Sequence, residues 1–297
     1  MAIESRPFET AADLRRMQAL QQELWALEAE RTHTHVGDLA WWATMHVGRE
    51  AEWKRRLWLD GDRCVAWGWL DRPASFDYEV HRDHRGGALH EEVLDWFETE
   101  SEDGAFQAWV MDGDDASLQL LTGRGFAWAD PYKWYAHYVR ELDDALPQPQ
   151  LPDGLTLRTV RGDEDLHARV EVHRAAWENS RVTQASYRNV MRVWPYRPDL
   201  DCVLETSDGT FVSYVLCWYD DANRVGEFEP VGTHADFRRQ GFGAAVCTYA
   251  LRRLREEGAS KAIVYAGGRD EDLQARALYE SIGFQQHTRM TELRKER

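Results

Sequence analysis

Residues 237–246 read FRRQGFGAAV: two arginines, a glutamine and two glycines that lead into small and apolar residues. A strand that ends in a glycine-rich turn and opens a helix is an anion site. The first N–H groups of the helix lack intrahelical partners and point outwards. Gly241 and Gly243 let that backbone approach a ligand closely, and Arg238 and Arg239 add charge for phosphate oxygens. The chemistry expected here is the binding of a pyrophosphate-bearing cofactor. Two carboxylates, Glu227 and Glu229, precede the loop and stand two residues apart, on one face of any strand there. A close pair raises at least one pKa, which suits a base working near neutrality. The same pair could instead clamp a cationic substrate.

The elements around the loop narrow the choice of cofactor. DCVLETSDGTFVSYVLCWYDD, from Asp201, reads as two strands about a Ser-Asp-Gly turn. RVGEFEPVGTH, from Arg224, reads as a third strand, whose Pro230 implies an edge or a bulge because it cannot donate a ladder hydrogen bond. After the loop, Cys247, Ala250, Leu251 and Leu254 form the apolar stripe of a helix that stops at Gly258. KAIVYA, from Lys261, is a short apolar strand, and DEDLQARALYESIGF, from Asp270, is a second helix ending near Gly283. GFGAAV is a poor dinucleotide fingerprint: its last position is Val246, and it follows several strands instead of opening the first βαβ unit. No Gly-Lys-Ser or Gly-Lys-Thr occurs, so the P-loop pattern is absent.

RRQGFG resembles the Q/R-x-x-G-x-G/A signature of the GNAT superfamily of acyl-CoA-dependent N-acetyltransferases. DLQARALYESIGF is similar to that superfamily's N-x-x-A-x-x-L-Y-x-x-x-G-F signature. It matches at Ala275, Leu278, Tyr279, Gly283 and Phe284, with Asp272 where asparagine is usual. The spacing between the two motifs also agrees, and the resemblance spans residues 155–297. It implies acetyl-CoA as co-substrate, no metal, and direct attack by the primary amine of a small molecule on the acetyl thioester. Val231, Gly232 and Thr233 would meet the pantetheine arm. Arg238, Arg239, Gln240, Gly241, Phe242, Gly243 and Ala244 would wrap the pyrophosphate, with Asp272 beside the cofactor. Glu227 would act as general base, directly or through water, with Glu229 at the substrate. Tyr279 would protonate the leaving thiolate, unless it is only a core aromatic.

The chain reads as two similar halves. Leu14 and Trp25 are echoed by Leu166 and Trp177, RGGALHEEVLDWF from Arg85 by RQGFGAAVCTYAL from Arg239, and LLTGRGF from Leu120 by LYESIGF from Leu278. An internal duplication explains all three. The expected fold class is α/β (α+β): two tandem GNAT folds of mycothiol-synthase-like arrangement, each a mixed, mostly antiparallel sheet flanked by helices. The expected boundaries are a degenerate domain at 1–145, a proline-bearing linker at 146–154 and a catalytic domain at 155–297. In the first half the glycine loop is short of a residue, and Leu121 stands where Tyr279 stands in the second. That half is expected to buttress the active one, to shape the substrate cleft, or to hold cofactor non-productively. The segment from Glu178 to Leu200 is expected to build the acceptor site.

Composition bounds the class of protein. Of 297 residues, 43% are hydrophobic and 30% charged, as in a folded globular protein. A net charge of −16 argues against nucleic acid and anionic membrane partners. Four separated cysteines read as reduced thiols in a cytoplasmic protein, either a monomer or a homodimer. His173, His234 and His287 show no ligand spacing. An acyl-CoA-binding regulatory or structural protein and a protein-lysine acetyltransferase stay open as alternatives.

Overall fold

The structure is a computed structural model that describes residues 2–28, 32–71, 75–101, 106–128, 134–143, 146–268 and 272–296. The expected start of the last helix at Asp270 and Glu271, and the junction at Asp144 and Ala145, lie outside these residues. The first half runs β1 (Glu4–Pro7), α1 (Ala11–Glu28), α2 (Val36–Thr44), β2 (Trp53–Asp60), β3 (Arg63–Asp71), β4 (Ser75–Val80), α3 (Ala88–Glu100), β5 (Phe106–Met111), α4 (Asp115–Gly123), β6 (Ala127–Trp128) and β7 (Trp134–Glu141). The second half runs β8 (Leu155–Thr159), α5 (Leu166–Ala176), α6 (Gln184–Val190), β9 (Asp201–Thr206), β10 (Phe211–Asp220), β11 (Val225–Thr233), α7 (Phe242–Glu256), β12 (Lys261–Gly267), α8 (Leu273–Ser281) and β13 (Gln285–Lys295). Apart from the two-residue β6, the halves follow the same order of strands and helices.

All strands belong to one sheet, in the order β1-β2-β3-β4-β5-β13-β7-β12-β11-β10-β9-β8, with β6 beside β13. The halves exchange their final strands. β7, from the first half, pairs antiparallel with β12 over Lys261–Gly267. β13, from the second, pairs antiparallel with β5 over Phe106–Met111. β7 and β13 then pair with each other and close the seam. Each half therefore completes its sheet with a segment of the other.

Apolar burial reinforces the seam. Trp41 and Ala40 of α2 pack with Leu216 and Trp218 of β10 and with Tyr187 and Val190 of α6 in one cluster. Trp25 of α1 joins Val225 and Ile263 in another. At about 25 cal/mol per Å², each buried large side chain stabilises this contact by roughly 1.5–3 kcal/mol. Gly37 lies directly against Trp218: a Cβ there would fall 2.3 Å from the indole side chain.

Pro230 lies neither on an outer edge nor in a regular ladder. β11 pairs with β10 throughout, but the register slips where Val215 faces Val231 and Cys217 faces Phe228. On its other side β11 pairs with β12 only from Val225 to Glu227. Past Glu227 the two parallel strands separate, so the missing N–H of Pro230 costs no ladder bond to β12. Of the two expectations for this proline, the bulge holds and the edge does not. Among the described residues no helix is long and apolar enough to cross a membrane. All four cysteines are free and buried.

Strand exchange makes the halves interdependent. Fragments 1–150 and 151–297 expressed separately should lack cooperative thermal transitions, because each leaves an open sheet edge. Co-expressed, they should form a one-to-one complex in size-exclusion chromatography.

Candidate active site

The glycine loop sits where β11 has left β12. A short 3-10 turn, Ala235–Phe237, is capped by His234, whose ring accepts from the N–H of Asp236. Arg239 then adopts φ 61° and Gly241 φ 82° before α7 begins. The left-handed backbone at Gly241 is strained for a residue with a side chain. Gly241 is the N-cap and makes no side-chain cap, so the first-turn amides of α7 keep their donors for a ligand. A Cβ at Gly241 would meet nothing within 4 Å, so the space before these amides is open. Arg239 and Gln240 are exposed, whereas Phe242 is buried. Arg238 is exposed but tethered: it donates to the carbonyls of Ala176 (2.8 Å) and Thr233 (3.4 Å). Gly243 and Ala244 line the first turn, with Gly243 beside Thr233 and Leu278.

Val231, Gly232 and Thr233 pair with Val215, Tyr214 and Ser213 of β10, and β12 does not cover their other side. Asp272 lays its carboxylate over Gly267 at the end of β12. The loop, the uncovered stretch of β11 and the open first turn of α7 fit an extended pyrophosphate-bearing ligand.

Glu227 and Glu229 take different positions. Glu227 is fully buried and meets the first half of the chain: its Oε2 lies 3.1 Å from Nδ1 of His35. His35 caps α2, its Nδ1 accepting from the N–H of Gly37 at 3.1 Å, while Asp38 accepts from the N–H of His35 at 2.7 Å. Burial drives the carboxyls of Glu227 and Asp38 well above the ordinary range, and each has a second carboxylate neighbour that adds to the push. Burial holds His35 neutral by pulling its pKa down to about 4. With Nδ1 accepting from Gly37, the contact to Glu227 is attractive when Glu227 carries a proton. Glu227 and Asp38 also hydrogen-bond each other, so this buried carboxyl pair holds a proton between its members.

Glu229 instead faces an open cleft. The cavity, of about 440 Å³, lies within the range of small-molecule sites and is shared by both halves. Glu229 and Pro230 form one wall; Trp41, Met45, His46 and Arg49 come from α2 and the turn after it; and Trp177 to Val182 follow α5. Burial and then Asp38 push the Glu229 carboxyl up to about 8. Part of its surface stays in contact with the cleft, where solvent moderates that push. Of the two carboxylates, Glu227, the expected base acting directly or through water, is covered by α2, and Glu229 is the one that lines the cavity.

Tyr279 is buried in the second-half core, edge-on to Phe284 at 5.9 Å between centroids. Its hydroxyl is held well above the usual phenol range, by burial first and then by Cys247 and Glu229. His173 is buried at the wall of the cleft; its Nδ1 lies 2.6 Å from the Tyr214 hydroxyl, and burial pulls the imidazole down to about 3. Of the segment expected to build the acceptor site, Glu178–Val182 does so. Further on, Tyr187 and Tyr196 turn away to Asp201, at 2.5 and 3.3 Å.

The first half keeps the same loop device with different contents. His81 caps a 3-10 turn as His234 does, but Gly87 starts α3 one residue sooner. Arg85 turns inward. It donates to Glu28 (2.9 Å), Glu79 (3.0 Å) and the carbonyl of Val80 (3.0 Å), and Asp114 lies 3.9 Å away. The cavity around it is only about 20 Å³, room for a single water. Leu121 is fully buried in its core. The sequence reading missed His35, Asp38, Trp41, Met45, His46 and Arg49. Their one local signal is the run THTHVGDLAWWATMHVGR, dense in histidine and tryptophan.

The acid pair has a measurable signature. A buried carboxyl with a raised folded-state pKa contributes stability at low pH, which is lost as pH climbs from the ordinary carboxylate value towards the raised one. Glu227→Gln should flatten this loss. The melting temperature of the wild type should fall more than that of the variant between pH 5 and pH 9. The difference in unfolding free energy between the two should change by about 1.4 kcal/mol per pH unit across the window where only the folded state holds the proton.

Residues 167–284 match the acetyltransferase (GNAT) family. A mycothiol acetyltransferase of Streptomyces coelicolor is 26% identical over 240 residues, covering 78% of this chain and 76% of its own. One from Saccharomonospora viridis is 28% identical over 221 residues, 69% of each. Among solved structures, a GCN5-related N-acetyltransferase from Sphaerobacter thermophilus superimposes with TM-score 0.66 at 19% identity, over 99% of this chain and 95% of that one. A tandem GNAT protein from the clavulanic acid biosynthesis pathway does so with TM-score 0.68 at 15% identity, over 99% and 98%. The second half of the chain thus carries an acetyltransferase domain of the GNAT family, set in a tandem fold that solved GNAT proteins share across their whole length.

Proposed function

We propose that this N-acetyltransferase moves the acetyl group of acetyl-CoA to the primary amine of a small molecule by direct attack. The active unit is 155–297, joined through 146–154 to a silent unit at 1–145, and the enzyme works in the cytoplasm. The observation that carries the reading is Glu229: a carboxyl of raised pKa on the wall of an open cleft, on the strand that leads into the glycine loop. The mycothiol acetyltransferase relatives support a small-molecule acceptor.

Acetyl-CoA supplies an activated thioester, and the chain supplies position and proton handling. The exposed edge of Val231–Thr233 takes the pantetheine amides, while the loop from Arg238 to Ala244 and the amides of α7 take the pyrophosphate. Arg239 and Gln240 supply side chains there, Arg238 secures the loop to Ala176, and Asp272 closes the far side. Glu229 accepts a proton from the incoming ammonium. The free amine attacks the thioester carbonyl, the C–N bond forms, the C–S bond breaks, and the departing sulfur takes a proton from Tyr279, while the nitrogen sheds its second proton to water, from which the phenolate is reprotonated. Glu227 stays buried behind Glu229, whose own proton affinity is raised by burial and then by Asp38.

Glu229→Gln should lower kcat/KM for acetyl transfer by roughly 10²–10⁴. Because the base works deprotonated, wild-type kcat/KM should rise with pH through an inflection near 8, and the variant should lose that limb. An unchanged rate and profile would remove Glu229 from the mechanism. Calorimetry with acetyl-CoA should give one site per chain, abolished by Gly241→Glu; two sites would show that the first half also holds cofactor.

A further inference from the structure

The lining of the cleft carries carboxylates, Glu229 and Glu178, and cationic side chains. The groups acting on Glu229 and Glu227 are carboxyls: Asp38 on the former, Glu229 and Asp38 on the latter. Elsewhere on the same cavity stand His46, Arg49 and Arg181; burial first, and then the charges of Arg49 and Arg181, push the imidazole of His46 down. Arg49 is partly committed, with its Nε donating to Glu52 at 2.7 Å and Asp71 3.8 Å from its head. Arg181 is exposed and makes no ion pair or side-chain hydrogen bond among the described residues. Its charge is felt by His46 and Glu52. Nδ1 of His46, on the same cavity, is buried and has no hydrogen-bond partner.

Much of the remaining lining is apolar. Trp41, Met45, Val182 and Trp177 line the cavity, and the Trp177 ring is 52% exposed. That ring is fixed by its Nε1–H, which donates to the Tyr214 hydroxyl at 2.9 Å. A ligand that fills this space has an end that suits a carboxylate, an apolar middle and an end that suits a guanidinium.

We propose that the acceptor is a primary amine carrying an anionic group, a carboxylate or a phosphate, which Arg181 and the neighbouring Arg49 hold while the amine faces Glu229. This rests on the acetyl-transfer reading and adds the substrate class. Arg181 is the specificity determinant. Its planar fork matches either oxyanion, and its position in a protein of net charge −16 opposes the general field, which repels anions. The residue comes from the segment just after α5, so the second half supplies Arg181 and Glu229 while the first half supplies Arg49 and the apolar floor at Trp41.

The test uses the full chain and matched amines. These are benzylamine against 4-(aminomethyl)benzoate, butylamine against 4-aminobutanoate, and 3-aminopropanol against its phosphate ester. Wild-type kcat/KM should favour the anionic member of at least one pair by about 10–100-fold, chiefly through KM. The favoured pair distinguishes a carboxylate from a phosphate. Arg181→Ala should bring that ratio close to one, and Arg181→Lys should recover part of it. Equal rates within every pair in the wild type, or a preference that survives Arg181→Ala, would overturn the proposal. Calorimetric binding of the same pairs separates the two readings. If no amine is acetylated but anionic members bind through Arg181, acetyl transfer falls and the anion site stands. If binding of no anionic member depends on Arg181, the anion site falls whatever the transfer assay gives.

Discussion

Each half of this chain completes its sheet with the other's final strand, and every feature of the site depends on that exchange. With β7 beside β12 and β13 beside β5, the halves cannot slide or separate without breaking ladders on both sides of the seam. The seam holds α1 and α2 against the second half's sheet. There Gly37 meets Trp218 with no room for a side chain, and Trp41 enters the core shared with α6. Once α2 is fixed, its capping turn brings His35 and Asp38 to Glu227, and its far end brings Met45, His46 and Arg49 to the cleft. The first half has become a wall of the second half's site.

That wall changes the electrostatics of the strand beneath it. Glu227 and Glu229 are two residues apart on β11, yet one is sealed under α2 and the other meets the cleft. Three carboxyls within one buried region cannot all ionise, because mutual repulsion and desolvation both favour protonation. All three are therefore raised, and the one nearest solvent is the one placed to exchange a proton with the cleft. A base poised near neutrality results from placing an ordinary glutamate at the lip of such a cluster. The inward-turned Arg85 shows the same economy in the first half, where the loop charge is matched by acids of its own neighbourhood.

Much of the second half was legible in its sequence because its signals are local. The glycine loop, the stripe from Cys247 to Leu254 and the helix ending at Gly283 are each set by neighbours a few positions away. Pro230 announced an irregularity but not its kind, since the choice between edge and bulge depends on how far β12 follows β11. The strand exchange left no trace in the pattern: an alternating strand reads alike whichever half it joins. The burial of Glu227 was equally invisible, because the segment that covers it lies almost 200 residues earlier in the chain. For the same reason Glu178–Val182 could be assigned to the cleft and Trp41–Arg49 could not: the former follow α5 within their own unit, and the latter cross the seam.

The exchanged strands also bear on how the chain is made. During synthesis the first half emerges with β5 and β7 already present and the place between them vacant, because the strand that fills it, β13, comes after every other element. Until then β5 offers an open row of backbone donors and acceptors to any passing strand. Domain-by-domain folding on the ribosome is therefore closed to this protein. Its early half must wait, partly assembled, for the late half to return to it, and a nascent chain stalled in that interval is the form most in need of chaperone cover.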